Sequence, residues 1–319
     1  MIEVLHCGPL VTVQDGGRPG HLALGLARGG AADRRALAEA RALLGRCGAG
    51  IESPGLPLTL RFGAPCAVAL TGAPMRAKAD GRALRWHASH MLAAGMVLRL
   101  RPLGAGYSYV TPAGGLDWPE VMGSQAAHPI AGIGRALRPG DRLGPGAEGP
   151  SRVLRRPEER FNGGTLRCVV TPQTALFPEA ERARFEATAF RRDPRGNRQG
   201  VRLAMDGEGF RAEGQLSLLS DFILPGDVQM TGDGVPFVLG PESQTTGGYP
   251  RIAHVIAADL PRAMQAPPGA ELRFRFVTLA EARAAAPGPP ATEALVRDPR
   301  DVDLLAHQLV DGVVDARED

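Results

Sequence analysis

Two polar, glycine-rich segments carry the side chains best suited to recognise a small molecule. The first is Gln244-Thr245-Thr246-Gly247-Gly248-Tyr249-Pro250, which sets an amide, two hydroxyls and a phenol around two adjacent glycines. Glycine permits a positive φ and the close approach of another group, and Pro250 fixes φ just after the aromatic ring. A tight hairpin turn with polar decoration has the same composition. Because binding residues concentrate on loops, the segment also predicts a ligand-binding loop.

The second segment, residues 12–20, reads Thr-Val-Gln-Asp-Gly-Gly-Arg-Pro-Gly. Within it Gln14 offers a donor and an acceptor on one planar amide, which complements a lactam or a urea. Arg18 presents a fork of donors suited to a carboxylate or a phosphate. Asp15 is a candidate base or a partner for such an arginine. Since Asp15 and Arg18 are three residues apart, a local ion pair within the loop is the alternative.

Polar side chains elsewhere in the chain suit the same chemistry. Asp33, shortly after the second segment, is another candidate base. Arg198 and Arg202 flank a glycine bend that would turn both toward a common cavity, and a solvated basic surface is the alternative. Gln229 and Gln265 are further candidates to bind the amide of a ligand. The alternative is that each is a buried side chain whose amide is hydrogen-bonded within the protein. Together these residue types indicate a site for a neutral amide or ureide with nearby anionic groups.

Several common catalytic motifs are absent from the sequence. There is no G-x-x-x-x-G-K-[ST] loop, so we do not expect the chain to bind ATP as a P-loop enzyme does. There is no G-x-S-x-G elbow, and Gly132-Ile133-Gly134 lacks the third glycine of a dinucleotide site. His87 and His90 fall in a segment predicted to be extended, where residues three apart point to opposite faces. No metal site is therefore expected.

The composition is that of an ordinary globular protein. Of 319 residues, 44% are hydrophobic and 22% are charged, and the formal net charge is +3. A chain of this length can form two domains with a large core. Because the cations are scattered and not interleaved with aromatic residues, no nucleic-acid partner is expected.

The cysteines and the N-terminus predict where the protein resides. The four cysteines show neither a C-x-x-C pair nor metal-ligand spacing, which predicts buried free thiols in a reducing cytosol. The first residues lack the pattern of a secretory leader, and no run approaches the ~20 apolar residues of a membrane span. We therefore expect a cytoplasmic protein with no membrane partner.

Short strands punctuated by the 42 glycines and 28 prolines predict a mainly β fold with a few helices. The predicted strands are residues 58–62, 67–71, 96–100, 166–170 and 272–277. The predicted helices are residues 32–44, with Gly45 as the stop, 179–190 and 279–285.

Composition also predicts the division of the chain. Apolar periodicity lapses between residues 144 and 160, where we place a domain boundary. Pro287-Gly288-Pro289-Pro290 begins a tail in which Val302 to Val314 has a narrow apolar stripe at helical spacing. A helix docked on its own domain and a partner-binding or disordered extension both fit that stripe.

Further motifs accompany the two polar segments, namely Gly114-Gly115, Asn197-Arg198-Gln199-Gly200-Val201-Arg202-Leu203 and Gln229. With these motifs, residues 3–285 resemble the family called allophanate hydrolase subunit 2, KipA or PxpC. The resemblance implies two cyclophilin-like β-barrel domains, residues 1–148 and 149–286, followed by the tail 287–319. Where family members usually carry a Ser-Arg-Ser-Thr type stretch, this chain has Ser124-Gln125-Ala126-Ala127.

This resemblance implies a subunit of an ATP-dependent 5-oxoprolinase, a hydrolase that opens the lactam ring of 5-oxo-L-proline to L-glutamate. It implies ATP with Mg held in the complex, a PxpB-like (KipI-like) and a PxpA-like partner subunit, a small amide or lactam substrate, and no activity of the chain alone. The expected catalytic residues are Asp15, Asp33, Arg198 and Arg202. The expected substrate-binding residues are Gln14, Arg18, Gln229, Gln244, Thr245, Thr246, Tyr249 and Gln265.

The same family implies two alternatives. One is the carboxyltransferase subunit of a urea carboxylase/allophanate hydrolase-type system, in which biotin, itself a cyclic urea, is the cofactor. The other is a KipA-type regulatory partner of a kinase inhibitor, which needs a mating surface and no aligned catalytic groups.

Overall fold

The computed structural model describes residues 1–144, 146–157, 159–214 and 218–296. Within these ranges the fold is mainly β with four α-helices, as the sequence predicts. The helices are α1 Arg34–Leu44, α2 Glu179–Ala187, α3 Leu260–Gln265 and α4 Leu279–Ala284. Single turns of 3₁₀ helix lie at Leu22–Leu24, Pro129–Ala131 and Thr174–Leu176.

Eleven strands precede the first barrel strand: β1 Ile2–Cys7, β2 Thr12–Gln14, β3 Gly50–Pro54, β4 Leu58–Phe62, β5 Cys66–Gly72, β6 Met75–Ala79, β7 Arg82–Leu84, β8 Ala88–Leu92, β9 Val97–Pro102, β10 Tyr107–Pro112 and β11 Arg152–Leu154. They form a five-stranded sheet, β1-β4-β9-β6-β7, and a larger sheet that begins β2-β3-β10-β5-β8-β11. The predicted strands 58–62, 67–71 and 96–100 are confirmed as β4, β5 and β9. In β6, buried Met75, Ala77 and Ala79 alternate with exposed side chains, the pattern of a sheet with one solvated face.

Helix α1 covers the buried strand β5. Its N-cap is Asp33, whose carboxylate accepts from the backbone N–H of Ala36, and it ends at Gly45, which takes a φ of 78°. Ala40 and Leu43 pack against Ala67 and Ala69 of β5. Small residues on both elements allow the helix to lie close to the strand, so β5 is buried on both faces. The predicted helix 32–44 is thereby confirmed.

The remaining strands are β12 Gly164–Val169, β13 Phe190–Arg192, β14 Gly200–Ala204, β15 Asp221–Phe222, β16 Asp227–Met230, β17 Pro236–Leu239, β18 Thr246–Gly247, β19 Arg251–Val255, β20 Glu271–Phe276 and β21 Thr292–Ala294. Seven of them close into a barrel in the order β12-β19-β16-β17-β14-β13-β20. The predicted strands 166–170 and 272–277 are confirmed as β12 and β20, which pair in parallel.

A phenylalanine cluster fills one end of the barrel core. Phe185 of α2 stacks on Phe274 with ring centroids 4.4 Å apart, and Phe190 and Phe210 complete the group. The helix predicted over 179–190 ends earlier, at Ala187, because Phe190 is a core residue of β13. Burial of four aromatic rings outweighs the helical propensity of the preceding Ala, Glu and Arg residues.

The two halves share an apolar interface. Ala32, Ala36 and Tyr109 belong to the same buried cluster as the barrel residues. In addition β11 pairs with β8 on one side and with β21 on the other, so the end of the described chain returns to the first half. The division at residues 148 and 149 stays a prediction. The predicted helical stripe Val302 to Val314 lies outside the described residues.

The described residues bear on two sequence predictions, the lack of a membrane span and the free state of the cysteines. No helix there is long and apolar enough to cross a membrane. All four cysteines are free; Cys66 and Cys168 are buried, whereas Cys7 and Cys47 are only partly so.

Candidate functional site

A cleft lies between the two halves. Its largest apolar part is a cavity of about 380 Å³. On one side lies the loop of residues 18–34, and on the other lie three barrel segments, residues 223–225, 241–244 and 254–261. Binding sites often occupy the junction of two domains. Arg18 of the second polar segment and Gln244 of the first both line this cavity.

Two further cavities adjoin the first. One, of about 240 Å³, lies at the barrel mouth between Gln229, Phe237 and Tyr249. The other, of about 470 Å³, is bounded by residues 25–27, 128–131 and 242–246 and includes Thr245 and Thr246. Ser243 and Gln244 line all three cavities. The segment 243–244 is therefore the common wall of one branched cleft.

Glycines allow two backbone stretches to cross tightly beneath the cleft. A Cβ added at Gly30, whose φ is +82°, would lie 2.6 Å from the Gly17 nitrogen and 2.8 Å from the Asp15 carbonyl oxygen. Gly17 likewise has a positive φ, and a Cβ added there would lie 2.5 Å from the Arg28 carbonyl oxygen and 2.7 Å from that of Gly29. Only residues without a Cβ fit this crossing.

The glycine pair of the first segment behaves differently. Neither Gly247 nor Gly248 takes a positive φ, so this pair does not form the left-handed turn that its sequence suggests. Gly247 belongs to the short strand β18, which pairs with β15. A Cβ there would lie 2.8 Å from Gln229 Nε2 and 3.2 Å from Ile223 Cδ1, so a side chain at this position would have to displace both side-chain ends.

Asp15 organises the loop around Arg18 instead of pairing with it. Its carboxylate accepts from Gly17 N at 2.8 Å, from Ser124 Oγ at 2.6 Å and from Gln125 N at 2.8 Å. The carboxylate therefore ties the second polar segment to residues 124–125. These three hydrogen bonds engage both carboxylate oxygens, and the local ion pair with Arg18 is not formed.

Gln14 and Arg18 are buried but incompletely paired. Gln14 Nε2 donates to Thr12 Oγ1 and to Ala127 O, both at 3.0 Å, whereas Gln14 Oε1 has no partner among the described residues. Arg18 is 1% exposed; its Nη2 donates to Ala126 O, and its Nη1 has no partner in the described ranges. Buried polar groups are nearly always paired, so such atoms indicate a position for a ligand or water.

Arg198 connects the two halves through ion pairs and a hydrogen bond. Its guanidinium donates to Glu242 Oε1 at 2.6 Å, to Glu52 Oε1, and to Gly30 O at 2.6 Å. Burial opposes the charge, but Glu52 and Glu242 raise the pKa of Arg198 above its usual value. With three acceptors in place, this guanidinium holds the walls of the cleft in position.

Glu52 extends the network into the first half. Its Oε2 accepts from Tyr109 Oη at 2.6 Å and from Ala32 N at 2.9 Å. The Tyr109 hydroxyl in turn accepts from Asp33 N at 2.8 Å. Burial, together with the charges of Glu52 and Asp33, raises the pKa of Tyr109 well above 10. Tyr109 therefore stays protonated and acts as a fixed donor to Glu52.

Asp33 lies in a second buried network. Asp33 Oδ2 accepts from Arg160 Nε and Gln265 Nε2, both at 2.7 Å, while Arg160 also forks onto Glu39 at 2.8 and 2.9 Å. Gln265 also exchanges hydrogen bonds with the Tyr107 backbone at 2.7 and 2.8 Å. Asp33 and Gln265 thus hold α1, β10 and α3 together. None of the three cavities includes either residue.

Arg202 lies apart from the cleft. It pairs with Asp233 at 2.7 Å on the outer side of the barrel and does not share a cavity with Arg198. The common cavity predicted for these two arginines is therefore not formed. Of the twelve predicted site residues, those that line the branched cleft are Arg18, Gln229, Gln244, Thr245, Thr246 and Tyr249.

The sequence pattern misses four residues at or beside the cleft. Ser243 directly precedes the first polar segment, and Glu242 precedes Ser243, so extending that motif by two residues would have found both. His128 lines the cavity near Thr245 and is 3% exposed. Glu52 sits in an ordinary strand sequence, and no local signal marks it.

A partly buried histidine near Arg160, His87, makes stability depend on pH. Burial, reinforced by the Arg160 guanidinium, lowers the pKa of His87 from 6.5 to about 4. Between those values the unfolded chain binds the proton first, so the free energy of unfolding falls as the pH drops, by at most about 3 kcal/mol. Chemical denaturation between pH 7 and pH 4 measures this loss.

The control for that experiment is His87→Asn. Asn tolerates the positive φ of 56° found at this position. The variant is expected to show a shallower decline between pH 6.5 and pH 4 than the wild-type protein. Equal slopes for the two proteins would contradict a neutral, partly buried imidazole.

Comparison with known proteins places this architecture in a family. The model of the carboxyltransferase domain, subdomains A and B, matches residues 24–276. The chain belongs to the carboxyltransferase-domain family. One member, a 5-oxoprolinase subunit of Escherichia coli (strain K12), is 36% identical over 294 residues, which cover 88% of this chain and 93% of that protein.

Two other relatives are longer than this chain. A putative urea carboxylase of Emericella nidulans is 29% identical over 87% of this chain but only 24% of that protein. The crystal structure of TTHA0988 superposes with a TM-score of 0.76 at 29% identity, covering 86% of this chain and 55% of that one. The chain thus spans little more than half of the solved relative's length.

Proposed function

We propose that this chain is the lactam-recognition subunit of an ATP-dependent 5-oxoprolinase that converts 5-oxo-L-proline to L-glutamate. The observation that carries the proposal is the convergence of Gln244 and Arg18, from segments more than 200 residues apart, on one cleft between the halves. An amide and a guanidinium are the groups that a carboxylated lactam needs. The kinship with the 5-oxoprolinase subunit of Escherichia coli supports the same reaction.

In this proposal the cleft binds and orients the substrate. Gln244 reads the ring amide, and Gln229 and Tyr249 close the adjoining cavity. Thr245 and Thr246 supply further hydroxyl groups. Holding the lactam in one orientation lowers the entropy cost of attack by water. Arg198, Asp33, Gln265 and Asp15 position these groups, since their polar atoms are engaged with the protein.

ATP with Mg²⁺ does not fit the residues of this cleft. Among the described residues no group of three His, Cys, Asp or Glu side chains is placed to hold a metal ion. Of the described residues that line the first cavity, Arg18, Arg28 and Arg34 could contact phosphates, but none is an Asp or Glu that would hold the Mg²⁺. We therefore assign nucleotide binding and phosphoryl transfer to PxpB-like and PxpA-like partner subunits, and we expect this chain to be inactive alone.

Reconstitution with those partner subunits tests the proposal. The purified chain, mixed with both partners, 5-oxo-L-proline, ATP and Mg²⁺, is expected to form glutamate, and omission of any one protein should abolish the product. Avidin should have no effect, because no biotin takes part. Failure of the complete mixture to form glutamate would contradict the proposed function.

The similarity to a urea carboxylase favours carboxyl transfer from biotin as the second candidate. In that case the reconstituted system would need a biotinylated protein and avidin would inhibit it. The regulatory alternative requires that variants of the cleft leave the activity of the complex intact while binding to the partner persists.

A further inference from the structure

Three buried polar side chains at the junction of two cavities leave donor atoms without partners. They are Arg18, His128 and Ser243, which are 1%, 3% and 4% exposed. Arg18 Nη1, His128 Nε2 and Ser243 Oγ have no hydrogen-bond partner in the parts of the chain that the structure describes. Leaving a buried donor unsatisfied costs about 1–3 kcal/mol, so three together indicate a binding position.

Arg18 and His128 lie beside Gly29, and Ser243 lies on the barrel loop that Gly29 contacts. A Cβ added at Gly29 would lie 3.2 Å from His128 Cδ2 and 3.4 Å from Arg18 Nη1. Ser243 lines both the cavity that contains Arg18 and the cavity that contains His128. The Gly29 N–H donates to Pro241 O at 3.0 Å, which fixes the glycine against the barrel loop that carries Ser243. The absence of a Cβ at Gly29 lets the Arg18 and His128 side chains pack against its backbone at the junction of the two cavities.

In their protonation states at pH 7, both His128 and Arg18 offer hydrogen-bond donors to the cleft. The N–H of Ala131 points at His128 Nδ1 at 3.4 Å, so the neutral ring carries its proton on Nε2. Burial, opposed by Glu242 and reinforced by Arg18 and Arg198, lowers the pKa of His128 below 6.5, and the ring is neutral at pH 7. Burial also lowers the pKa of Arg18, but a guanidinium remains charged in proteins.

The charges around Arg18, His128 and Ser243 favour binding of a monoanion over a dianion. Arg18 Nε and Nη2 donate to the backbone carbonyls of Val121 and Ala126, and no carboxylate of the described residues forms an ion pair with this guanidinium. The nearby acids Asp15 and Glu242 are both occupied by other donors. One cation without an ion-pair partner, one neutral imidazole N–H and one hydroxyl match a carboxylate, whereas two nearby acids disfavour a phosphate dianion.

We propose that Arg18, His128 and Ser243 form a carboxylate subsite of the cleft and so select a lactam that bears a carboxylate over one that does not. The inference rests on the proposed function, because the lactam itself is read by the adjoining Gln244. It identifies His128 and Ser243 as specificity-determining residues.

Calorimetric titration of the full chain, alone and in the complex with its partners, tests this subsite. The probes are 5-oxo-L-proline, 2-pyrrolidinone, which lacks the carboxylate, and inorganic phosphate. The wild-type protein is expected to bind 5-oxo-L-proline at least about tenfold more tightly than 2-pyrrolidinone. Ser243→Ala and His128→Phe are expected to lower that preference about tenfold each, and the matched controls Ser151→Ala and His6→Phe, at exposed positions, should keep it.

Stability separates a binding role from a structural one. Ser243→Ala removes a buried hydroxyl that has no partner among the described residues, so the free energy of unfolding should stay the same or rise. A loss of stability together with an unchanged ligand preference would assign Ser243 to structure and overturn the proposal.

The other possible binding results also test the carboxylate subsite. Equal affinity for the two lactams, or no binding of either by chain and complex, overturns the subsite, as does a phosphate affinity that exceeds that of 5-oxo-L-proline. A carboxylate preference without glutamate formation would preserve the subsite and reject the 5-oxoprolinase function. Glutamate formation without that preference would support the 5-oxoprolinase function and reject the subsite.

Discussion

Arg198→Ala is expected to lower the free energy of unfolding by about 3–5 kcal/mol, because it leaves two buried carboxylates without their cation. Glu52 is 1% exposed and Glu242 is 4% exposed, and both depend on this guanidinium. The variant also loses the bond to Gly30 O, so the loop that bears Arg18 is released. Urea denaturation followed by circular dichroism measures the loss.

Two further variants test the cause of that loss. Arg61→Ala breaks an ion pair whose side chains are 51% and 34% exposed, and it should cost no more than about 1 kcal/mol. Adding Glu52→Gln and Glu242→Gln to Arg198→Ala should recover part of the stability, since the uncompensated charges are removed. If the triple variant were no more stable than Arg198→Ala, the charge explanation would be wrong.

Gly30→Ala is expected to destabilise the protein by about 2–5 kcal/mol. A left-handed φ costs a residue with a Cβ about 1–2 kcal/mol. The contacts with Gly17 N at 2.6 Å and Asp15 O at 2.8 Å force the backbone apart and add about 1–3 kcal/mol. Because both contacts are to main-chain atoms, no side-chain rotation relieves them. Thermal and urea denaturation measure the combined effect.

Gly95→Ala is the matched control for Gly30→Ala. Gly95 has a φ of +86°, and a Cβ there would meet nothing within 4 Å. Gly95→Ala therefore carries the backbone cost without the clash. If the two variants lost the same stability, the tight crossing beneath the cleft would not be the reason for glycine at position 30.

Local patterns predict the mainly β class, five of the 21 strands in the described ranges and the position of α1. Alternating or continuous apolar runs mark β4, β5, β9, β12 and β20, and Gly45 marks the end of α1. The helix predicted for α2 is too long, which shows the limit of such patterns. Phe190 packs against Phe185, Phe210 and Phe274 in the barrel core and so belongs to a strand. Contacts between distant residues are not visible in a short window of sequence.

The cleft itself is only partly predictable, for the same reason. Arg18 and Gln244 are predictable because their segments have the composition of binding loops. Asp33 and Gln265 have suitable chemistry, but long-range bonds to Arg160 and Tyr107 occupy them. His128 lacks any neighbouring motif, and its importance appears only when Gly29 is placed beside it.

The kcat/KM of the reconstituted complex for 5-oxo-L-proline, measured with wild-type chain and with Gln244→Ala, tests the central claim most directly. Gln244 lines all three branches of the cleft. A lost hydrogen bond to the lactam predicts a kcat/KM lower by about tenfold or more, with an unchanged free energy of unfolding. A complex that carries Gln244→Ala and turns over 5-oxo-L-proline at the wild-type rate would show that the substrate does not bind in this cleft.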